Sequence, residues 1–193
     1  MHDLENIRIG FAMTGSFCTF KQAFEQAEYL VSCGAELIPI MSWNAAGIST
    51  RFGEAAEMRE RLENIAHRKV ICSIEDAEPI GPKQMTDIML IEPCTSNTAA
   101  KLALSITDTP VTMAVKSHLR GQKPVVLALA SNDSLAGTLK NLGILANAKA
   151  YYFVPLRQDD AQKKPTSLVA DFTQTADTLI SALNGKQIQP VIA

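Results

Sequence analysis

No stretch of this chain stays apolar for the ~20 residues that a membrane-spanning helix needs. The opening residues MHDLENIR contain no signal-peptide core. Both absences lead us to expect a cytoplasmic protein with no membrane partner. Neither sign of charge dominates: the formal net charge is −2, which gives no reason to expect nucleic acid or an anionic membrane surface. The four cysteines, Cys18, Cys33, Cys72 and Cys94, are widely spread with no C-x-x-C pair. In a reducing compartment they read as free thiols. His2, His67 and His118 have no metal-ligand spacing to each other or to the cysteines, so no metal site is expected.

Two nucleotide motifs are missing as well. Gly10 and Gly15 fit the glycine spacing of G-x-x-x-x-G-K-[ST], but Ser16 stands where the lysine belongs. The G-x-G-x-x-G fingerprint of dinucleotide sites is absent because position 12 is alanine. There is no internal repeat and no linker. The 193 residues, 47% hydrophobic and 20% charged, therefore read as one globular domain spanning 1–193.

What is present is organised around residues 87–103, DIMLIEPCTSNTAAKLA. Ile88 to Ile91 form a short unbroken apolar run, the pattern of a strand covered on both faces of a parallel sheet. Pro93 offers no N–H to a ladder and is expected to stop that strand. Cys94, Thr95, Ser96 and Asn97 follow, with Thr95 or Ser96 as the N-cap of the next helix. Strand, polar turn, helix puts hydroxyls and an amide at the carboxyl end of a central strand, where open α/β sheets bind ligands. A capped turn without a ligand uses the same residues.

The rest of the chain repeats the alternation. Residues 7–13 (IRIGFAM) make a strand that leads into Thr14-Gly15-Ser16. Thr19-x-x-Gln22 has the form of a capping box. Phe20, Phe24, Ala27 and Val31 recur at helical spacing, and Gly34 is placed to end that helix. Residues 35–41 are a second strand. Residues 42–53 (SWNAAGISTRFG) are a long polar connection carrying the only tryptophan, Trp43, and Arg51. A helix over 54–67, a short strand at 70–74 and a rigid turn at 78–82 precede the central unit.

Beyond that unit, Pro110 opens a helix that ends at Arg120-Gly121. Residues 124–130 (PVVLALA) are a second apolar strand emptying into Ser131-Asn132-Asp133, and a glycine-punctuated helix runs to about Asn147. Residues 151–154 read as the last strand, residues 158–165 as a solvated charged loop, and residues 171–184 as the closing helix before the tail QIQPVIA. The fold class is α/β, a three-layer doubly wound sandwich with a mainly parallel sheet.

Three of these turns leave strands of one parallel sheet and converge on one edge. Thr14, Gly15 and Ser16, then Ser96, Asn97 and Thr98, then Asn132, can surround a phosphate and the polar edge of a heterocycle with neutral donors. The small first turn suits a single phosphate better than a pyrophosphate.

TGS near the N-terminus, PCTSNTAAKLA, and a late strand ending in a turn with asparagine resemble the flavoprotein family that includes the FMN-dependent cysteine decarboxylases. TGSFCT, STRFG, AEPIGPK, TSNTAAKLALSITDTPV, SNDSLAG, YYFVP, KPTSLVA and QIQP resemble more closely the family of bacterial dipicolinate synthase B subunits, over almost the whole chain. The resemblance implies a Rossmann-like flavoprotein fold with FMN at the three turns. It also implies oxidation of dihydrodipicolinate to dipicolinate during sporulation, with NAD(P) carried by a partner, the A subunit. For the small dicarboxylate substrate, the candidate partners are Arg51, Lys101, Lys116 and Arg120 near the turns or their helices and Lys163 and Lys164 on the charged loop, with Arg51 and Lys101 the ones selected. Arg51 stands out because it sits in a long loop, whereas lysines are commonly solvated surface charges.

The resemblance further implies a homo-oligomer built on trimers; the late helices and the apolar-rich tail are the candidate contact surfaces, with a tail folded on its own subunit as the alternative. The chain departs from both patterns. The decarboxylases' Pro-x-Met-Asn motif is replaced by Ala130-Ser131-Asn132-Asp133, and Phe17 follows TGS where the closer family is expected to have histidine. No catalytic residue is assigned. An FMN-dependent decarboxylase, or a non-catalytic partner that has lost its flavin site, are the alternatives.

Overall fold

The computed structural model describes residues 4–192. His2 and Ala193 lie outside the described residues. A seven-stranded, mainly parallel sheet runs through the centre. Its strands are β1 (Arg8–Met13), β2 (Glu36–Met41), β3 (Ile88–Cys94), β4 (Val125–Ser131), β5 (Tyr151–Phe153), β6 (Leu156–Arg157) and β7 (Leu168–Ala170). β2, β1, β3 and β4 lie side by side in that order, all parallel. The first half of β4 pairs with parallel β5 and its last two residues with antiparallel β7, which in turn pairs with β6.

The helices follow from the connections. α1 (Phe20–Ser32) links β1 outward to β2. α5 (Ser96–Ala103) and α6 (Pro110–Leu119) link β3 in the opposite direction to β4, so right-handed crossovers put the two sets on opposite faces. α8 (Thr175–Leu183) covers β3 and β4. The remaining helices are α2 (Trp43–Gly47), α3 (Ala55–Ala66), α4 (Ile74–Ala77) and α7 (Leu139–Ala146). Covered on both sides, β3 and β4 are buried along nearly their whole length. That is why their sequences are apolar without alternation.

Several local expectations are corrected. Pro93 does not stop the central strand, which continues to Cys94. The proline falls at a register shift between Ile91 and Cys94, where its missing N–H breaks no ladder bond. Thr19 stands at the start of α1 but makes no capping bond. Its hydroxyl donates instead to the Ser16 carbonyl at 2.8 Å, because a 3-10 turn over Phe17–Thr19 leads into the helix. The connection at 42–53 is not all loop: Ser42 accepts from Ala45 N–H and caps α2. In place of a strand at 70–74, Ile71 makes one isolated bridge to Ile40, and Ile74 already belongs to α4.

Residues 132–138 turn before α7 begins, and β5 is not the last strand. β6 and β7 are two and three residues long, too short for a period of two to register. The tail folds back on its own chain. Gln187 bonds the backbone of Phe153 in both directions, and Leu156 N–H donates to the Val191 carbonyl.

Candidate functional site

β1 and β3 are neighbours whose outgoing connections part in opposite directions. This is the topological switch point of the sheet, and the crevice outside the strand ends there is where open α/β sheets hold ligands. Thr14 spans it. Its backbone N–H and its hydroxyl both donate to the Pro93 carbonyl, at 3.1 and 2.8 Å. Its hydroxyl also accepts from Thr95 N–H at 2.9 Å. Thr95 is the N-cap of α5, its hydroxyl accepting from Thr98 N–H, so the polar turn and the helix start are one unit. Ser96 and Asn97 are the first helical residues, whose N–H groups have no partner within the helix.

The third turn joins from β4. The Ser131 hydroxyl donates to Asp133 at 2.6 Å, and Thr138 donates to the same carboxylate. Together with Ser96 these hydroxyls hold the Asp133 carboxyl below its ordinary range, with Ser131 the largest contributor. A flap from the β6–β7 connection completes the wall. Thr166 donates to the Asn132 carbonyl at 2.7 Å and Ser167 to the Ser131 carbonyl at 3.2 Å, and Lys164 pairs with Asp159 at 2.6 Å.

These elements enclose a cleft of about 600 Å³. Of the sequence-predicted residues it takes Gly15, Ser16, Arg51, Ser96 and Asn132. Thr14, Asn97, Thr98 and Lys101 line a smaller neighbouring pocket of about 260 Å³, which shares Gly15 and Thr95 with the larger one. Thr14 and Thr98 are buried, and their hydroxyls are engaged in the turn itself. The two candidate substrate cations differ. Arg51 is exposed over the Phe52 ring, 4.9 Å from its centroid, and makes no ion pair among the described residues. The Lys101 ammonium is already held by Asp108 at 2.7 and 2.9 Å.

Phe17, half-buried and packed against Phe20 at 5.2 Å between ring centroids, lines the cleft without closing it. Sequence reasoning offered Lys164 only as one of several candidate carboxylate partners and missed Phe52, Asp159, Ser167 and Val169 as cleft residues. Asp159, Lys164, Ser167 and Val169 arrive on the short antiparallel strands and their connection, where the signal was the charged, turn-rich run at 158–165. No described histidine lines the cleft. His67 ends α3, and His118 is buried at the far edge of the sheet. Among the described residues no cluster of three or more His, Cys, Asp or Glu side chains could hold a metal ion, and no helix is long and apolar enough to cross a membrane.

The Flavoprotein family model matches residues 1–182. The dipicolinate synthase B subunit of Bacillus subtilis (strain 168) is 43% identical over 192 residues, covering 100% of this chain and 96% of that protein. The crystal structure of the dipicolinate synthase B subunit from Bacillus halodurans superposes with a TM-score of 0.90 at 38% identity, over 98% of this chain and 97% of that one. DmrB of Burkholderia xenovorans in complex with FMN, described as a cubic protein cage for redox transfer, has the same fold, with a TM-score of 0.68 at 21% identity over 93% and 96%. With its sheet order, its switch-point crevice and this full-length likeness, the chain belongs to the flavoprotein family, alongside the dipicolinate synthase B subunits.

Proposed function

We propose that this protein is the B subunit of a dipicolinate synthase. In this reading it works in the cytoplasm during sporulation, with a separate A subunit that brings NAD(P), to oxidise dihydrodipicolinate to dipicolinate. The observation that carries the proposal is the full-length likeness to two B subunits, at 43% and 38% identity. The absence of a dinucleotide glycine fingerprint fits a nicotinamide site on the partner.

The residues of the cleft fit a flavin mononucleotide. Its volume falls within the ~300–1,000 Å³ range of cofactor pockets, and its walls are divided in the way such a molecule needs. Ser16, Ser96 and the free N–H groups at the start of α5 would hold the phosphate without a full charge. Asn132 and Ser131 would meet the polar edge of the ring, against the apolar surfaces of Phe17, Phe52 and Val169. Bound there, the flavin would supply a ring able to accept a hydride. Arg51, whose guanidinium is free to form paired hydrogen bonds to a carboxylate, would orient the dicarboxylate at the mouth. Asn97, in the adjoining pocket, would act on the part of the substrate nearest α5, with Lys101 a weaker contributor because Asp108 holds its ammonium.

Dipicolinate formation, followed by its ultraviolet absorbance, should require both proteins. Full activity from the A subunit alone would overturn the assignment, and activity from this chain alone would move the nicotinamide site onto it. The visible spectrum of the purified protein, before and after adding FMN, tests flavin binding separately. Decarboxylation is less well supported, since the Pro-x-Met-Asn motif is absent and no described histidine reaches the cleft.

The same reading makes the protein a homo-oligomer built on trimers. Leu104, Ile106, Leu139 and Ile144 are exposed on α7 and at the exit of α5, which pack together. They offer an apolar face of the kind that contacts between protomers cover. Light scattering should return a multiple of three times 20.9 kDa, and a monomer at micromolar concentration would remove this part.

A further inference from the structure

A second cleft, of about 480 Å³, opens at the opposite edge of the sheet, where β3 and β4 begin. Its walls are the loop carrying Gly81 and Gln84, the approach to β3 at Thr86, the end of α6 at His118 and Arg120, and Lys123 before β4. None of the residues lining it is acidic. We propose that this amino-edge cleft binds a small polyanion, a phosphate- or carboxylate-bearing metabolite, through Arg120 and Lys123.

Charge is the first support. Arg120 is exposed, and its guanidinium has no hydrogen-bond or ion-pair partner among the described residues. Lys123 spends two of its three donors, on the Thr86 carbonyl at 2.5 Å and on Asp87 at 3.3 Å, leaving one for a ligand. Arg8 stands behind the loop, bonded to the Gln84 carbonyl at 2.6 Å and to Asp87 at 2.6 and 2.9 Å. Of the described carboxylates, Asp87 alone lies within hydrogen-bond reach of these cations. It is matched twice over, and its own titration is pushed down to about 2, chiefly by Arg8.

The second support is that the walls are preformed. The Ser117 hydroxyl accepts Gly81 N–H at 2.8 Å and donates to the Glu78 carbonyl at 2.5 Å, clamping the loop onto α6. Position 81 must be glycine, because a Cβ there would collide with the Ser117 carbonyl. The buried His118 ring bridges Thr86 at 2.7 Å and the Pro124 carbonyl at 3.0 Å. The carbonyl can only accept, so Nε2 carries a proton, and burial lowers the ring's pKa to about 4, which leaves it neutral with Nδ1 accepting from the Thr86 hydroxyl. The last carbonyls of α6 do not repel an anion unopposed, because His118 and Leu119 already accept from Gly121 and Gln122 N–H. A ligand entering this cleft has little ordering left to do.

The test uses the full chain with 15N-labelled amides. Sodium pyrophosphate and, in a separate arm, pyridine-2,6-dicarboxylate are titrated against sodium chloride at matched ionic strength. We expect saturable shifts at the amides of Gly81, Gln84 and Gly121 in at least one arm, with affinity weakened about tenfold or more in Arg120→Glu. Arg120 is exposed, so that variant should keep its fold, which its amide spectrum reports directly. A response to pyrophosphate alone identifies a phosphate ligand, and a response to the dicarboxylate alone a carboxylate ligand. Shifts no larger than those in chloride, or shifts unchanged in Arg120→Glu, would overturn the proposal. In that case the cations serve only the end of α6. The result is independent of the flavin cleft, which lies at the other edge.

Discussion

Thr95, 81 residues downstream of Thr14, donates its backbone N–H to the Thr14 hydroxyl at 2.9 Å. The bond crosses the switch point between β1 and β3. It ties the exit of the first strand to the cap of α5, so the two turns nearest the candidate flavin phosphate move as one body.

Removing that hydroxyl while keeping the shape of the side chain should show how much the link contributes. Thr14→Val leaves Thr95 N–H without its acceptor and takes one donor from the Pro93 carbonyl. We expect a loss of about 1–3 kcal/mol in urea unfolding, and a loss of FMN affinity that persists where the variant is fully folded. Thr14→Ser should restore both.

The two candidate substrate cations should separate in a dicarboxylate assay. Arg51→Ala should raise KM for the dicarboxylate by about 10- to 100-fold, the worth of charge-assisted carboxylate bonds, with the melting temperature unchanged. Lys101 is engaged by Asp108 at the surface, so Lys101→Ala should change KM by less than about threefold. Equal effects would mean that the ion pair opens on binding.

Glu92 is wholly buried in β3. Thr175 donates to its Oε2 at 2.7 Å, while Oε1 has no partner among the described residues. Burial pushes its carboxyl up to about 8, against a smaller downward pull from Thr175. A folded-state value above the unfolded 4.5 means that the folded protein holds the extra proton in between. The associated stability is complete below about pH 4.5 and lost as pH rises through about 8, at up to ~1.4 kcal/mol per pH unit. Glu92→Gln keeps the acceptor for Thr175 and should flatten that decline, leaving the variant more stable than the parent at pH 9. Parallel unfolding curves from pH 6 to 9 would count against this account.

Asp87 has the opposite sign. Hydrogen bonds from Arg8, and then Lys123, hold its carboxyl down at about 2 from 3.8, so its contribution is present above about pH 3.8 and lost as pH falls through about 2. Asp87→Asn should cost about 1–3 kcal/mol at pH 7, toward the low end because Arg8 is 38% exposed to screening solvent. The acid limb of its stability curve should be shallower than the parent's.

Local chemistry explains what was legible in the sequence. The apolar runs of β3 and β4 marked strands covered on both faces, and Thr95 or Ser96 marked a helix start, which the structure places at Thr95, because burial pattern and capping act over a few adjacent residues. The alternation of strand and helix was enough to reach a doubly wound sheet with polar turns at one edge. Other features depend on residues far apart in the chain. Pro93 sits inside β3 because β4 shifts register beside it, and Thr14 is a structural pin because Pro93 and Thr95 lie against it. The predicted site residues divide between two pockets because β6 and β7, too short to show a period, add a wall that only pairing with β4 could build. Burial of Glu92 beneath α8 and the meeting of Arg120 and Lys123 with the 81–86 loop at the amino edge were likewise decided by tertiary packing, since desolvation and the walls of a cleft depend on which chain segments meet in space.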